Sequence, residues 1–326
     1  MKRILLMVIS LIMVFVVVAC GVPTQETQAQ EIQVQETKES PEKQNDALAE
    51  QEAEMPGGAK KVNILLMGSM NKDFSNEDDP TYALTHILIT LDPENRIIKF
   101  TTFPYNLGVD VETENGVQVE QLQMLCGAYG EDETANIIAE SFGISIDYWV
   151  LMNMNGVVSI VDAMQGIEID IKELSVNEAS KHVVDLLGLA WEEITQTGLQ
   201  MLSGVQSAGY FVDTMNIDQN NWLYEEEIMF RNRHSNIIRG VFSAVKLAEL
   251  SREEIIVIAT NIKNNYATNI PQSEWQVIAD TALYCLSNDP QFLHVPQIID
   301  TANQDGNPPM VFDRESDVSA VQEFVK

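Results

Sequence analysis

The chain has 326 residues, 45% of them apolar, with 49 acidic against 19 basic side chains and a net charge of −30. That balance argues against nucleic acid as a partner and against docking on an anionic lipid surface, since both need a basic face. It makes a highly anionic polymer an awkward ligand too, unless basic residues are gathered at one mouth.

Lys2 and Arg3 precede an apolar run from Ile4 to Val18, broken only by Ser10. A run of roughly 15 residues suits the h-region of a secretion signal better than a membrane span of about 20. It ends in Val17-Val18-Ala19-Cys20-Gly21, which resembles a bacterial lipobox. Residues 1–19 are therefore expected to be a lipoprotein signal peptide. Cys20 is expected to be the lipid-carrying first residue of the mature chain, bearing the acyl (palmitate-type) anchor. An uncleaved signal anchor with an incidental cysteine is the alternative. Either way the rest of the chain is placed outside the cytoplasmic membrane, held at its outer face. Residues 20–61 are rich in Gln and Glu and hold no aromatic side chain. Such a segment cannot bury enough apolar surface to offset its ordering entropy, so it is expected to be a disordered tether.

The remaining stretch, 62–326, is long enough for one large domain or two small ones. Val62-Asn63-Ile64-Leu65-Leu66-Met67-Gly68 is a short apolar run ending in glycine, as a buried strand does. Thr85–Asp92 and Arg96–Phe103 flank Pro93-Glu94-Asn95 and read as a hairpin. Asp132–Phe142 has helical periodicity, stopped by Gly143. Asp147–Met154 is a strand, and Asn155 is placed to cap a helix running to Met164 and ended by Gly166. Ile167-Glu168-Ile169-Asp170-Ile171 alternates strictly, as a half-buried strand does. A weak helical pattern lies around Asn177–Leu187. Leu223–Leu250 is a long helix candidate, and Ser251-Arg252-Glu253-Glu254 and Ser273-Glu274-Trp275-Gln276 read as capping boxes. Strands interleaved with helices predict a mixed α/β domain, a central mixed sheet flanked by helices. Cys126 and Cys285 lie in apolar stretches and read as buried free thiols, with a disulfide between them as the alternative. No CxxC pair or His-x-x-x-His spacing marks a metal site.

Several segments, in order, carry a family resemblance. They are Asn63–Ser69; Thr102-Phe103-Pro104; Ala128-Tyr129-Gly130; the long run Gly143–Ile171; Leu202–Tyr210; and Arg233 in the long helix. Together they resemble a LytR-CpsA-Psr domain over most of residues 61–260. The resemblance implies an extracytoplasmic protein of cell-envelope glycopolymer assembly. It implies an α/β core around an apolar groove for a polyprenyl tail, and arginines and carboxylates gripping a pyrophosphate with Mg²⁺. It also implies phosphotransfer from a polyprenyl-diphosphate carrier to the cell wall.

The site positions of the family are mostly replaced here. Its Arg-Ser-Asp-Thr falls on Tyr82-Ala83-Leu84-Thr85, keeping only the threonine. Its Pro-Arg-Asp falls on Pro104-Tyr105-Asn106, and its strand aspartate on Asn153. Its Tyr-Val-Arg-x-Arg falls on Tyr210-Phe211-Val212-Asp213-Thr214. In the helix Arg233 matches, and Arg231 is one position off the other arginine. The candidate phosphate- or polyprenyl-binding residues are therefore Arg233, Arg231, Tyr82, Thr85, Tyr105 and Asn106, and no catalytic residue is assigned. Tyr82 and Tyr105 together suggest a sugar-stacking rim. His86 reads as a hydrogen-bonded strand residue, Arg96 and Lys99 as a solvated hairpin face, and Asp78 and Asp79 as solvated loop residues. Three functions follow: a catalytically degenerate binding or scaffold member, which takes no cofactor; an active phosphotransferase with a rearranged site, which needs Mg²⁺; or a structural lipoprotein. The partners implied are the membrane through Cys20 and a polyprenyl-phosphate lipid or envelope glycan.

Overall fold

A computed structural model describes residues 54–69, 81–172, 181, 184–185, 188–212, 224–248, 252–297 and 309–326. The signal, Cys20, most of the tether, Asp78, Asp79 and Asp213 lie outside the described residues, as does most of the weak helix around 177–187.

The core is one six-stranded mixed sheet. Its strands are β1 (Val62–Ser69), β2 (Ala83–Asp92), β3 (Ile97–Phe103), β6 (Tyr148–Asn153), β9 (Tyr266–Thr268) and β10 (Gln291–His294), in the order β10-β3-β2-β1-β6-β9. The β1–β6 and β3–β10 pairs are parallel and the others antiparallel. β1 is apolar on both faces because both are covered. Ile64 and Leu66 point into one core, Leu65 and Met67 into the other. On the first face pack α3 (Met154–Ala163), α5 (Tyr224–Ala248) and α7 (Trp275–Cys285), through Ile160, Val241 and Ile278. On the second pack α1 (Leu122–Tyr129), α2 (Glu131–Phe142) and α8 (Ser316–Phe324), through Leu125, Ile138 and Val321. Two hairpins complete the fold: β4 (Gly108–Thr113) with β5 (Gly116–Gln121), and β7 (Ile167–Ile171) with β8 (Gly198–Leu202). Among the described residues two further α-helices are α4 (Gly204–Val212) and α6 (Arg252–Asn261). The expected α/β architecture is the observed one.

Two polar residues of the sequence motifs fix the parallel pair. Asn63 N–H donates to Asp147 Oδ2 at 2.8 Å, and Asp147 N–H donates back to the Asn63 carbonyl at 2.8 Å. The Asn63 side chain accepts from Thr90 Oγ1 at 2.7 Å and donates to the Ser145 carbonyl at 2.9 Å. A buried amide with these partners ties β2, β1 and the entry to β6 in one register.

Local expectations fare unevenly. Gly143 closes α2 in the left-handed conformation (φ 59°), and Ile167–Ile171 alternates buried and exposed as read. Asn153, not Asn155, caps α3: its Oδ1 accepts from Gly156 N–H at 3.0 Å. The helix starts two residues earlier because Asn153 ends β6 in extended geometry, which an N-cap needs. Ser273 caps nothing. A 3₁₀ turn (Gln272–Glu274) leads into α7 without a side-chain cap.

The hairpin face is not solvated. Lys99 is buried and its ammonium lies 3.0 Å from the fully buried Asp92 carboxylate, which also accepts from Asn95. Arg96 stacks over Tyr284 and donates to Ser287. His86 makes no hydrogen bond through either ring nitrogen, although it is 1% exposed. Cys126 and Cys285 are free and buried, and burial pushes both thiols up, to about 11 and about 12.

Candidate functional site: an apolar cavity with a neutral rim

On the first sheet face a cavity of about 70 Å³ opens between the sheet and α3, α4 and α5. Its floor is Leu66, Ile87 and Met152, and its walls include Val157 of α3, Phe211 of α4, and Ile237 and Ile238 of α5. That is room for several water-sized spheres, but these walls give water no partners, so the space suits an apolar ligand. Ser69, Thr85 and Asn153 line the cavity where β1 and β6 end and β2 begins. Ligands of open α/β sheets bind outside such carboxyl ends. Gly68 lies here as well. A Cβ added to it would come within 2.9 Å of Thr85 Cβ, so glycine lets the threonine sit against the strand.

The wall behind the cavity depends on one close approach. Gly204 N–H donates to Asp162 Oδ1 at 2.7 Å, and a Cβ on Gly204 would lie 2.4 Å from the Val158 carbonyl oxygen. Gly204→Ala must push α4 away from α3 and should cost about 1–3 kcal/mol, the usual penalty of overpacking. The urea midpoint reads this directly. An unchanged midpoint would mean that the two helices are not locked together.

The predicted site residues divide. Thr85 lines the cavity; Tyr82, Tyr105, Asn106, Arg231 and Arg233 do not. Tyr82 is exposed and Tyr105 is only 6% exposed. A ring so covered has no free face for a sugar, so the two tyrosines do not form the stacking rim. Asn106 is buried where its carbonyl accepts from Met310 N–H at 2.7 Å. Arg233 is not a surface arginine: it is buried, stacks over Tyr210 at 4.9 Å and donates to the Tyr210 carbonyl at 3.2 Å. Arg231 is buried and donates to the Pro296 carbonyl at 2.8 Å. Two residues apart on a helix means about 200° of rotation, so the two guanidiniums leave opposite sides of α5 and do not meet at one mouth.

His234 was missed by the sequence reading. It lines the cavity, its ring stacked on Phe211 with centroids 4.0 Å apart. Burial, aided by His294, holds its pKa down at about 3, so the ring is neutral and adds an uncharged wall at pH 7. Its place at a turn of α5 beside Arg233 was the available signal.

A profile of the LytR_cpsA_psr family matches residues 22–307. The chain belongs to the LytR_cpsA_psr family. TagV of Bacillus subtilis (strain 168), a polyisoprenyl-teichoic acid–peptidoglycan teichoic acid transferase, is 24% identical over 112 residues, 34% of this chain. That match spans 28% of the length of TagV. The solved structure of protein gbs0355 from Streptococcus agalactiae shares the fold, with TM-score 0.66 and 19% identity, over 82% of this chain and 87% of that one. So does the family protein YwtF (TagT) with bound octaprenyl pyrophosphate lipid, at TM-score 0.56 and 14% identity, over 84% and 92%. TagT is a B. subtilis protein.

LytR_cpsA_psr membership raises the question of Mg²⁺, which prefers carboxylates and water in octahedral array. Among the described residues the polar donors of the rim are Ser69, Thr85 and Asn153, all neutral, and no cluster of three His, Cys, Asp or Glu could hold a metal. This donor set does not fit the ion, and no chemical step is derived through it.

Proposed function

We propose that this chain is a lipid-anchored, extracytoplasmic LytR_cpsA_psr protein that binds a polyprenyl-phosphate-type lipid of envelope glycopolymer assembly and performs no phosphotransfer itself. One observation supports the reading: a cavity with apolar walls lies between the sheet and α3, α4 and α5, and among the described residues the polar groups at its rim, Ser69, Thr85 and Asn153, are neutral. The name of TagV and the octaprenyl pyrophosphate held by TagT supply the ligand class. Phosphotransfer needs donors aimed at the developing charge, each worth about 3–4 kcal/mol when removed. Here Tyr82, Tyr105, Asn106 and Asn153 stand at positions where the family resemblance implies arginines and carboxylates. A transfer assay with lipid-linked glycopolymer, peptidoglycan and Mg²⁺ tests this. No product above background is expected. Product formation that falls with Arg233→Gln would overturn the reading in favour of a rearranged active site.

In this reading residues 62–326 are the binding domain, 20–61 a tether, and Cys20 its acylated end. Cys20→Ser should leave the precursor uncleaved and the mature acylated species absent from the mass spectrum. A variant that is still cleaved at the same site and still membrane-bound would contradict the anchor.

A further inference from the structure

The second sheet face, away from the cavity, holds a group that lipid binding does not use. His86 of β2 is buried, yet neither nitrogen of its ring meets a hydrogen-bond partner among the described residues. It shares its face with Leu88 and pairs across the ladder with Met67 of β1. Directly opposed side chains on one face have their Cβ atoms about 4.5–5.5 Å apart, so the imidazole and the thioether are neighbours. Above them lies α1, packed on β2. Its buried residues are Leu122, Leu125 and Cys126, spaced as one helical face, which turns the thiol down onto the sheet. There Cys126 Sγ comes within 3.4 Å of Met67 Sδ. Thr134 of α2 also bonds the thiol.

An imidazole, a thioether and a thiol therefore meet from three separate elements, in a core completed by Leu88, Phe103, Leu122 and Leu125. Thiolate and thioether sulfur select soft ions, and imidazole binds copper well. Hard ions such as Mg²⁺ want oxygen ligands, which this set does not offer. A structural zinc site wants four ligands drawn from Cys, His and carboxylates. Among the described residues no group of three His, Cys, Asp or Glu could hold a metal, so here the thioether must count as a ligand. Charge points the same way. One thiolate cancels the single charge of Cu(I), whereas a divalent ion would leave net charge in an apolar core. The spacing is close to what an ion needs: sulfurs about 2.3 Å from a shared ion at a tetrahedral angle stand about 3.8 Å apart, so the pair opens by about 0.4 Å.

We propose that His86, Met67 and Cys126 form a Cu(I) site between β1, β2 and α1. One ring nitrogen of His86 and the Met67 sulfur donate lone pairs. The Cys126 thiol gives its proton to solvent as the sulfur–copper bond forms, and no oxidation state changes. Entry is through α1, an eight-residue helix without a side-chain cap, whose Cys126 keeps 6% exposure. The site lies on the opposite sheet face from the prenyl cavity and stands or falls without it.

The full chain, labelled with ¹³C-histidine and held in detergent, is reduced, stripped of metal and titrated with Cu(I) delivered from a chromophoric chelator. A parallel titration uses Ag(I), which has similar ligand preferences and does not change oxidation state. Native mass spectrometry should show one tightly held ion per chain. The chain has only four histidines, so the resonance missing from His86→Leu identifies that ring. It should shift and saturate at one equivalent, while His234 and His294, on the other face, stay put. Met67→Leu, which conserves volume, and His86→Leu should each weaken binding at least about tenfold, and Cys126→Ser should prevent transfer from the chelator. Cys285→Ala should bind like the parent. Urea midpoints of the metal-free chains show that Met67→Leu and His86→Leu still fold, and added Ag(I) should raise the midpoint of the parent but not of His86→Leu. The site is overturned by a chain that takes no ion, by a His86 resonance that ignores one equivalent, by affinity unchanged in Met67→Leu and His86→Leu, or by a loss that follows Cys285→Ala instead.

Discussion

His86→Leu should make the protein more stable at neutral pH and much more tolerant of acid. His86 lies between Met67 and Phe103 in the sheet register, on the face that also carries Leu88. A neutral imidazole there holds one donor and one acceptor with no partner. Each unsatisfied buried polar atom costs about 1–3 kcal/mol, and leucine fills nearly the same volume without that cost. A gain of about 1–3 kcal/mol at pH 7 is expected, large against a typical domain stability of about 5–15 kcal/mol.

The pH dependence follows from the direction of the shift. Burial lowers the His86 pKa from 6.5 to about 3. The unfolded chain therefore takes up a proton below pH 6.5 that the folded chain refuses. Stability is present above that value and is lost as pH falls towards 3, at about 1.4 kcal/mol per pH unit for each such group. His234 is lowered in the same way to about 3, and His294 to about 4. The parent should thus show a steep acid limb between pH 6 and 4, and His86→Leu should remove one of its three contributions. Asp92, also held low, acts with the same sign below about pH 4 and is untouched by the substitution. Chemical denaturation at several pH values measures both effects. A destabilised variant, or an acid limb of unchanged slope, would mean that His86 is satisfied or charged in the folded chain.

Val157→Trp should abolish lipid binding while leaving the fold in place. Val157 is half-buried and points into the cavity from α3. An indole there fills space that an apolar chain would use. Excluding one isoprene unit forfeits the burial of five carbons, about 3–4 kcal/mol at ~0.8 kcal/mol per CH₂, or a hundredfold or more in affinity. Val257→Trp, on the exposed face of α6, is the matched control and should bind like the parent. Lipid binding that survives Val157→Trp would place the ligand elsewhere on the molecule.

The sequence displayed the central sheet well because its strands are buried on both faces and bounded by turn residues. The Asn63–Gly68 run, the Pro93–Asn95 turn and the strict alternation at 167–171 are local signals, and each marked the right element. The β4–β5 hairpin also carried a signal that went unused: Asn115-Gly116 between Val-rich alternating stretches, with Gly116 at φ 100°. β10 could not be read, since four residues paired with β3 across 192 positions leave no local pattern.

The site was legible in a different way. The resemblance located Thr85 and Asn153 at the rim because backbone register carries such positions faithfully. It could not say that Arg231 and Arg233 face apart, which is a matter of helix phase against two non-local neighbours. Nor could it show that Lys99 meets a buried Asp92. In each case the helix or strand face was readable, but its partner was not.

The most direct test of retained lipid binding without transfer chemistry is native mass spectrometry of the full chain released from detergent, with undecaprenyl diphosphate added in the presence and absence of Mg²⁺. Binding of one lipid that is insensitive to Mg²⁺ is expected, because the rim offers neutral donors and the cavity supplies the apolar contact. Binding that appears only with Mg²⁺ would contradict it and indicate a rebuilt pyrophosphate centre.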